Sequence, residues 1–460
     1  MKNRYVIVLA AGQGTRMKSK LYKVMHPVMG RPMVGHVVQA ALDAEVDRVY
    51  TVTGVGADLV KDYLQDQSDY LYQEEQLGTA HAVEQGRSLL ADKKGTTLVL
   101  SGDTPLLQAE TIKKLMDFHE KKGAKATILT AQAENPFGYG RVIRTEDGSV
   151  HKIVEEKDAN TTEKAVQEIN TGTYCFDNES LFEVLESVDN NNAQGEYYLP
   201  DVIEILKDHK EVVEAYQLES MDESLGVNDR VALSEAQLIM QARVNEKHMV
   251  NGVTIIDPKT TYIEMDVEIG QDTVIEPGTY LKGTTVIGEN VLIGSDSTII
   301  DSKIKDRVTI RQSVLEEAEV KEDSDVGPYS HLRANTVIEE KVHIGNFVEI
   351  KNSIIKEGSA VGHHSYIGDA EVGSKVNVGA GVVFANYNGK EKFKTTIGSQ
   401  SFIGSNATLV APVHLGDKSF VAAGSTIIED LPEKSLGIGR GRQVIKKDFY
   451  TNYFENKNEN

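Results

Sequence analysis

A glycine-rich turn near the N-terminus contains the first residues that could do chemistry. It follows a short apolar run, and an arginine and a lysine come soon after it. The backbone N–H groups of such a turn suit phosphate oxygens, and the two cations would neutralise an oligophosphate. The turn is neither a Walker loop nor a full Gly-x-Gly-x-x-Gly fingerprint, so an ordinary tight strand–helix connection is the alternative. The candidates are Leu9, Ala10, Ala11, Gly12, Arg16 and Lys23.

Two later segments of the same half could complete a nucleotide site. Asp103 ends another apolar run, where a divalent ion could bridge phosphate oxygens through one or two protein oxygens and water. The alternative is an aspartate that only opens a turn before Pro105. The polar stretch from Gln73 to Thr79 could read the edge of a base, or it is a loop before a helix that Thr79 caps.

A second polar group lies far along the chain and comprises Arg333, Lys351, His363, Tyr366 and Asn377. Arg333 and Lys351 are 18 residues apart, so they would stack in a coil with that period and could clamp a phosphate. A neutral His363 beside them could take a proton from an amine. The alternative is a pair of solvated charges and a histidine that fills a corner.

Neighbouring residues leave the identity of that base open. His364 would point to the opposite side of a strand, and His331 is a weaker candidate. Residues 385–394 interrupt the surrounding repeat, and Asn386 and Tyr387 within them could reach a ligand on a neighbouring face. A tolerated insertion is the alternative there.

The elements that position the first group alternate between strand and helix patterns up to about residue 228. This alternation predicts a parallel sheet with helices on both faces and functional loops at the carboxyl ends of its strands. A segment without Gly or Pro, from Asp229 to about Met249, predicts a helix capped by Asn228 or Asp229. The predicted strands are Tyr5–Leu9, Val49–Thr53, Thr97–Leu100, Ala126–Thr130 and Thr173–Phe176, and the predicted helices are Met33–Ala44, Thr79–Leu90 and Thr111–Lys121.

From about residue 251 aliphatic residues recur every six positions, in registers that begin at Ile263, Val314, Ile355 and Ile397. A hexapeptide period predicts a parallel β-helix in which each aliphatic residue points into a narrow core. With a few more closely spaced positions, the pattern gives about 27 inward-pointing positions. With three to a triangular coil, this is roughly nine coils. An ordinary β-sandwich alternates with a period of two and would not skip five positions.

Composition limits the class of protein. The chain has 460 residues, 49 Lys and Arg against 70 Asp and Glu, and a formal charge of −21. This length predicts two or three domains, and the negative charge argues against general binding of nucleic acid or anionic lipid. Cys175 is the single cysteine, and no apolar run approaches the ~20 residues of a bilayer span. We therefore expect a cytoplasmic protein without membrane insertion.

The motifs together resemble a known family. Leu-Ala-Ala-Gly-x-Gly-Thr-Arg-Met, a lysine seven residues on, Gln-Leu-Gly-Thr and Gly-Asp-x-Pro-Leu are similar to those of sugar-1-phosphate nucleotidyltransferases. Joined to a hexapeptide half, they closely resemble the bacterial family of bifunctional N-acetylglucosamine-1-phosphate uridylyltransferases and glucosamine-1-phosphate acetyltransferases. The resemblance covers nearly the whole chain. It implies a Rossmann-like α/β uridylyltransferase domain over residues 1–229, a helical linker over 230–250, and a left-handed β-helix acetyltransferase domain with a C-terminal tail over 251–460.

The resemblance also implies roles for residues of the first half. Arg16 and Lys23 would be catalytic, and Asp103 and Asn228 would hold Mg²⁺. Tyr22 stands where the wider family often has a proline, a departure that concerns positioning and removes no charge. The nucleotide and UDP-sugar ligands would be Leu9, Ala10, Ala11, Gly12, Lys23, Gln73, Gly78, Thr79, Gly140, Glu155, Asn170 and Asn228.

In the second half, the resemblance makes His363 the proton acceptor, and it implies a homotrimer with coenzyme sites between subunits. Glucosamine-1-phosphate would be bound by Arg333, Lys351, Tyr366 and Asn377. Acetyl-CoA would be bound by Ala380, Asn386, Tyr387, Ser405, Ala423 and Arg440.

The implied activity is acetyl transfer from acetyl-CoA to glucosamine-1-phosphate, followed by uridylyl transfer from UTP. The product, UDP-N-acetylglucosamine, would supply cell-wall synthesis. One alternative is a pyrophosphorylase whose β-helix serves only allostery or assembly; His363 and the interruption at 385–394 weigh against it. Another is a non-catalytic scaffold related to translation-factor subunits, against which Arg16, Lys23 and Asp103 weigh.

Overall fold

The computed structural model describes residues 3–455 and separates into two compact units. The division lies between Arg243 and Val244, inside a helix that runs from Arg230 to Val250. Asp229 caps this helix, because its Oδ1 accepts hydrogen bonds from the backbone N–H groups of Val231 and Ala232, each at 2.9 Å. The predicted helix is therefore confirmed, and Asp229 rather than Asn228 is its cap.

A mixed β-sheet forms the centre of the first unit. Its strands are β1 Asn3–Ala10, β2 Arg48–Thr53, β3 Asp69–Tyr72, β4 Gly95–Ser101, β5 Ala126–Gln132, β6 Gly140–Arg144, β7 Val150–Val154, β8 Glu168–Asp177 and β9 Val213–Gln217. Their order is β9-β5-β8-β4-β1-β2-β3, with β6 paired to β8 and β7 to β6. Val6, Ile7 and Val8 are consecutive and all fully buried, as expected for a strand covered on both faces.

One strand of this sheet is antiparallel to its neighbours, which differs from the predicted parallel sheet. The predicted strand Thr173–Phe176 lies within β8, which pairs antiparallel with both β4 and β5. β8 follows the β6–β7 hairpin and the short helix Thr161–Lys164, and it pairs antiparallel with β6, which sets its direction. An apolar run indicates that a strand is buried but not which way it runs. The prediction that the sheet is wholly parallel is therefore wrong.

Helices and short 3₁₀ turns connect the strands. One further prediction is wrong, because Thr79–Leu90 forms two helices separated at Gln85 and Gly86, where glycine disfavours helix continuation. The helices are α1 Met33–Asp43, α2 Ala57–Leu64, α3 Thr79–Glu84, α4 Arg87–Leu90, α5 Ala109–Lys122, α6 Thr161–Lys164, α7 Asn178–Val184, α8 Asp201–Asp208 and α9 Arg230–Val250. The 3₁₀ turns are Thr15–Met17, Lys23–Met25, Gln65–Gln67, Leu185–Ser187 and Met221–Ser224, Pro27–Val28 pairs with Arg31–Pro32, and Thr451–Glu455 is a π-helical turn.

The second unit is a parallel β-helix with three faces. Face 1 has the strands Thr254–Ile255, Val274–Ile275, Leu292–Ile293, Thr309–Ile310, Asp325–Val326, His343–Asn346, Ala360–His363, Asn377–Val378, Phe402–Ile403, Phe420–Val421 and Leu436–Gly437. Face 2 has Tyr262–Ile263, Tyr280–Lys282, Thr298–Ile300, Val314–Glu316, His331–Leu332, Glu349–Lys351, Tyr366–Gly368, Val383–Ala385, Thr408–Val410 and Thr426–Ile427. Face 3 has Glu268–Ile269, Val286–Ile287, Lys303–Ile304, Ala318–Val320, Thr336–Ile338, Ile354–Ile355, Ala370–Val372, Thr395–Ile397 and Val413–Leu415.

The predicted β-helix is confirmed, but the predicted nine coils are too few. Among the described residues, the three faces have 11, 10 and 9 strands, which is 30 strands or ten coils of three, against the 27 predicted. The three missed strands contain Ile255, which lies eight positions before Ile263, and Phe384 and Gly437, which are not aliphatic. An aliphatic residue at every sixth position is therefore not kept at either end of the β-helix or beside the 385–394 segment.

The register at Val314 is also wrong by one residue. Leu315 is fully buried and pairs with the buried Ile299 and Leu332 of adjacent coils, whereas the Val314 side chain is exposed. Only five positions separate Leu315 from the preceding inward residue, Ile310, so this corner closes with one residue fewer than most.

The corrected register predicts opposite costs for two neighbouring substitutions. Leu315→Ala removes core volume and should lower the free energy of unfolding by about 2–5 kcal/mol. Val314→Ala changes an exposed side chain and should cost less than about 0.5 kcal/mol. Urea denaturation of both variants at one chain concentration measures the difference, and a larger loss for Val314→Ala would refute the register.

Candidate active sites

The glycine-rich turn of the first unit follows β1 and packs against a lysine. Gly14 has a left-handed φ of 65°, and a Cβ there would collide with the Cβ of Lys23. Glycine at this position therefore lets the lysine side chain lie directly over the turn. The result is a cation held against exposed backbone N–H groups, which is the arrangement that phosphate recognition needs.

Four predicted residues come together at this turn. The Lys23 ammonium ion-pairs with the Asp103 carboxylate, and its Nζ donates to Asn228 Oδ1 at 2.7 Å. Arg16 Nη2 donates to the same Asn228 oxygen, also at 2.7 Å. Asp103 follows β4 and Lys23 follows β1, and these two strands are parallel neighbours, so their carboxyl ends meet at one edge of the sheet.

A cavity of about 330 Å³ adjoins this cluster and contains most of the predicted nucleotide ligands. It is lined by Leu9, Ala11, Gly12, Lys23, Gln73, Gly78, Thr79 and Asp103, together with Gln76, Ser101 and Glu196. Ala10 does not line it, because its side chain is buried in the core on the other face of β1.

The loop before α3 is held in place by its own amides. Gln73 Nε2 donates to the Gly78 carbonyl at 3.2 Å, and Gln76 Nε2 donates to the Ala11 carbonyl at 2.7 Å. Thr79 does not cap α3; its Oγ1 instead accepts a hydrogen bond from the backbone N–H of Leu199. Gln76 was not among the predicted ligands, although it lies in the Gln-Leu-Gly-Thr motif that could have indicated it.

The predicted sugar ligands form a second part of this site. Gly140 pairs with Asn170, and a Cβ at Gly140 would lie 2.9 Å from Glu155 Oε1. Burial, and then the nearby carboxylates of Asp158 and Asp201, raise the pKa of Glu155. A cavity of about 500 Å³ is bordered by both Glu155 and Arg16, so one predicted sugar ligand and one predicted phosphate ligand face common space.

Tyr22, the departure from the family pattern, is part of the support beneath the turn. Its hydroxyl donates to the Ala10 carbonyl at 2.5 Å, and its ring packs where a Cβ on Gly56 would lie. Burial raises the pKa of Tyr22 to about 12. This tyrosine therefore fixes the segment that leads into Lys23 with a hydrogen bond that proline could not make.

The second group of predicted residues lies on faces 1 and 2 of the β-helix. Arg333 and Lys351 are in register on adjacent coils, and the Arg333 backbone N–H donates to the Ile350 carbonyl at 2.8 Å. Lys392, from the 385–394 segment, and then Arg333 lower the pKa of Lys351 by placing further positive charge beside it. Glu349 neutralises part of this charge through an ion pair with Arg333 at 2.7 Å.

Lys392 is thus a third cation of the cluster, and the sequence analysis missed it. The hairpin that carries it begins where the six-residue rhythm breaks, and Tyr387 pairs with Lys392 across the hairpin. Tyr387 is exposed, whereas Asn386 is buried and its Nδ2 donates to Asp369 Oδ2 at 2.5 Å. The break in the six-residue repeat predicts a loop, but it does not indicate which lysine of the loop lies beside Lys351.

The Tyr366 hydroxyl lies beside Gly368 of its own strand, close to Asn386 of this loop. A Cβ on Gly368 would lie 2.5 Å from the Tyr366 hydroxyl and 2.7 Å from Asn386 Nδ2. Glycine at 368 therefore permits the close approach of these two side chains. Asn377 is on face 1 whereas Tyr366 is on face 2, so the chain does not bring these two predicted sugar ligands onto one face.

His363 belongs to a column of residues that lie at the ends of face 1 strands or two positions beyond them. Each member stands two positions after an inward aliphatic residue, and backbone hydrogen bonds link successive coils along the column. Arg440 contacts this column, because its Nη1 donates a hydrogen bond to the Ala423 carbonyl at 2.9 Å. The column contains Asn346, His363, Ala380, Ser405 and Ala423, and so includes three predicted acetyl-CoA residues.

The two alternative bases are engaged elsewhere. The His364 ring stacks on Phe347, with centroids 4.9 Å apart, and its φ of 48° turns the chain at the corner. His331 Nε2 lies 3.2 Å from Glu316 Oε2 on face 2. The three histidines therefore occupy different environments, with His363 alone of them in the column.

Comparison with known proteins assigns both units. A nucleotidyl transferase model matches residues 5–224, and a bacterial transferase hexapeptide model of six repeats matches residues 266–301. A GMPPB C-terminal domain model matches 314–388, and a hexapeptide repeat of succinyl-transferase matches 394–429.

Relatives extend over both units. The bifunctional protein GlmU of Listeria welshimeri is 57% identical, and that of Enterococcus faecalis is 58% identical. Each alignment covers 98% of this chain and 98% of the relative. The chain belongs to the bifunctional GlmU family. Membership confirms the predicted bifunctional transferase, in which a nucleotidyltransferase is joined to a left-handed β-helix of hexapeptide acetyltransferase repeats.

Two properties bear on partners and metals. Across residues 3–455, the helices are all too short or too polar to cross a bilayer. Within the same residues, no cluster of three or more His, Cys, Asp or Glu is arranged to hold a metal ion.

The contact between Gly14 and Lys23 predicts a strong effect of a single methyl group. Gly14→Ala should displace Lys23 and lower kcat/KM for uridylyl transfer about 100-fold, since small misplacements of positioning groups cost this much. The matched control is Gly148→Ala, which also has a positive φ but meets no neighbour within 4 Å. An equal loss in both variants would show that backbone strain, not displacement of Lys23, is responsible.

Proposed function

We propose that the chain makes UDP-N-acetylglucosamine in two steps at two sites. The β-helix acetylates glucosamine-1-phosphate with acetyl-CoA, and the α/β unit joins the product to the uridylyl group of UTP. The observation that carries this proposal is the presence of two separate cation clusters, Arg16 with Lys23 and Arg333 with Lys351 and Lys392, in a chain with a formal charge of −21. Each suits the phosphate of a sugar-1-phosphate.

For uridylyl transfer, a phosphate oxygen of N-acetylglucosamine-1-phosphate attacks the α-phosphorus of UTP. The new P–O bond forms as the bond to the β-phosphate oxygen breaks, and pyrophosphate leaves. An anion attacking an anion needs charge neutralisation and alignment more than proton transfer. Arg16 and Lys23 supply positive charge, the 9–12 turn and Gln73, Gly78 and Thr79 hold the nucleotide, and Gly140, Glu155 and Asn170 hold the sugar.

Asp103 and Asn228 fit a magnesium site. An oxygen of each lies against the Lys23 ammonium, so the two oxygens already converge on one positive centre. Mg²⁺ in nucleotide sites takes one or two protein oxygens and completes its shell with water and phosphate. When bound, the ion would neutralise the phosphate oxygens of UTP.

For acetyl transfer, the amine of glucosamine-1-phosphate attacks the thioester carbonyl of acetyl-CoA. The C–N bond forms and the C–S bond breaks, the amine proton passes to His363, and the departing thiolate of coenzyme A takes up a proton. Arg333, Lys351 and Lys392 hold the phosphate, and Tyr366 and Asn377 the sugar. Cys175 is buried in the other unit, and burial raises the pKa of its thiol, so no covalent acyl-enzyme is invoked.

The assembly and its place in the cell follow from the same proposal. Coenzyme A is held by Ala380, Asn386, Tyr387, Ser405, Ala423 and Arg440. Asn377 lies on a different face from Tyr366, which supports a homotrimer in which neighbouring subunits complete each site. We assign uridylyl transfer to residues 1–229, the linker to 230–250 and acetyl transfer to 251–460, in a cytoplasmic enzyme that supplies cell-wall precursor.

Separate substitutions should uncouple the two reactions. Asp103→Ala removes a metal ligand and should abolish UTP-dependent pyrophosphate release while thiol release from acetyl-CoA continues. His363→Ala removes the base and should do the reverse, with a fall of about 10²–10⁴-fold in acetyl transfer. A coupled assay with glucosamine-1-phosphate and its N-acetyl product measures both.

Other outcomes identify the alternative functions. Pyrophosphate release without thiol release in the unaltered protein would indicate a pyrophosphorylase, and neither activity would indicate a scaffold. Equal loss of both activities in Asp103→Ala would contradict two independent sites. Light scattering that gave the mass of one chain in a fully active acetyltransferase would contradict the trimer.

The third cation of the acetyl-transfer site gives a separate prediction. Lys392→Ala should raise KM for glucosamine-1-phosphate about tenfold, the equivalent of one charge-assisted hydrogen bond, with KM for acetyl-CoA unchanged. The matched control is Lys394→Ala, from the same segment, because Lys394 is paired with Glu371 at 2.9 Å. A similar rise in both variants would mean that general positive charge, rather than Lys392 at the cluster, attracts the substrate.

A further inference from the structure

The His363 ring is anchored to the preceding coil by one side chain. Asn346 and His363 end adjacent strands of face 1 and are paired in register. His363 Nδ1 lies 2.6 Å from Asn346 Oδ1, a short hydrogen bond. The side chain of His363 is otherwise exposed, so this contact orients a ring that solvent would leave free to rotate.

The chemistry of this bond determines where the imidazole carries its proton. The Asn346 amide oxygen can only accept a hydrogen bond, so Nδ1 must be the donor. A neutral imidazole protonated at Nδ1 has its free lone pair on Nε2, the nitrogen that faces away from Asn346. The bond therefore presents the ring in the form that can accept a proton.

The backbone around both residues is also fixed. The Asn346 carbonyl accepts from the His364 N–H at 3.1 Å, and the His363 carbonyl accepts from the Gly381 N–H at 3.1 Å. The corner beside them carries a ladder of stacked rings, Tyr329 on Phe347 and Phe347 on His364, with centroid distances of 5.4 and 4.9 Å. Asn346 thus has a rigid base from which to hold the histidine.

We infer that Asn346 is a positioning residue for acetyl transfer, which holds His363 in the tautomer whose Nε2 accepts the proton of the attacking amine. This inference rests on the proposed role of His363 as the base. It adds that the base depends on an uncharged partner in the neighbouring coil. Asn346 itself touches neither substrate, so its loss should affect the rate and not substrate binding.

Two substitutions at this position separate positioning from structure. Asn346→Ala should lower kcat for acetyl transfer about 10- to 100-fold and leave both KM values within about twofold. Asn346→Asp keeps an acceptor for Nδ1–H and should restore most of kcat. Its carboxylate would also stabilise the imidazolium, so the acidic limb of the pH–rate profile should move to higher pH.

The chain offers a matched control for this experiment. His343 Nδ1 lies 2.7 Å from Asp325 Oδ2 on face 1, a similar contact that is no part of the proposed site. Asp325→Ala should leave acetyl transfer unchanged. Uridylyl transfer, measured in every variant, should also be unchanged and thereby report that each variant is folded.

Three results would overturn the inference: an unaltered kcat in Asn346→Ala, no recovery in Asn346→Asp, or an equal loss in Asp325→Ala. Failure of the proposed function is a different result. If His363→Ala kept full acetyl transfer, the base itself would be wrongly assigned. If His363→Ala were inactive and Asn346→Ala fully active, only the role of Asn346 would be rejected.

Discussion

Repulsion between like charges is the constraint on which the site in the β-helix depends. Arg333, Lys351 and Lys392 lie close enough to lower the pKa of Lys351, although the chain as a whole carries 21 more negative than positive charges. Such a cluster persists only where the backbone holds its members, because free side chains would move apart. A bound phosphate offsets the repulsion between the cations. The site therefore binds an anion more tightly than separated cations would.

The two folds hold their cations by different means. In the first unit the turn after β1 and the ends of neighbouring parallel strands bring Lys23, Asp103 and Asn228 to one point, and Gly14 leaves room for the lysine. In each strand of the β-helix, the residue that points into the core determines which way the neighbouring side chains point. Residues at equal distances from it therefore form columns, and a site built on columns needs little reorganisation when substrate arrives.

The sequence was sufficient to predict the β-helix and most of the first site, because the patterns that indicate them are local or repeated. The six-residue period predicts the β-helix, and the turn motif with Lys23 and Asp103 predicts residues that the fold brings together. The errors fall where a three-dimensional contact decides. Strand direction in β8 depends on the hairpin before it, and the burial of Leu315 instead of Val314 depends on one shortened corner. Lys392 could not be distinguished from other loop lysines, because its role depends on where the hairpin folds back.

The central claim is that a cation cluster and a histidine act together on one sugar phosphate. The most direct test is a crystal structure with glucosamine-1-phosphate and coenzyme A bound together. The account predicts the phosphate between Arg333 and Lys351, and the amine within hydrogen-bond distance of His363 Nε2 on the same side as the coenzyme sulfur. An amine or a sulfur bound away from His363 would contradict it.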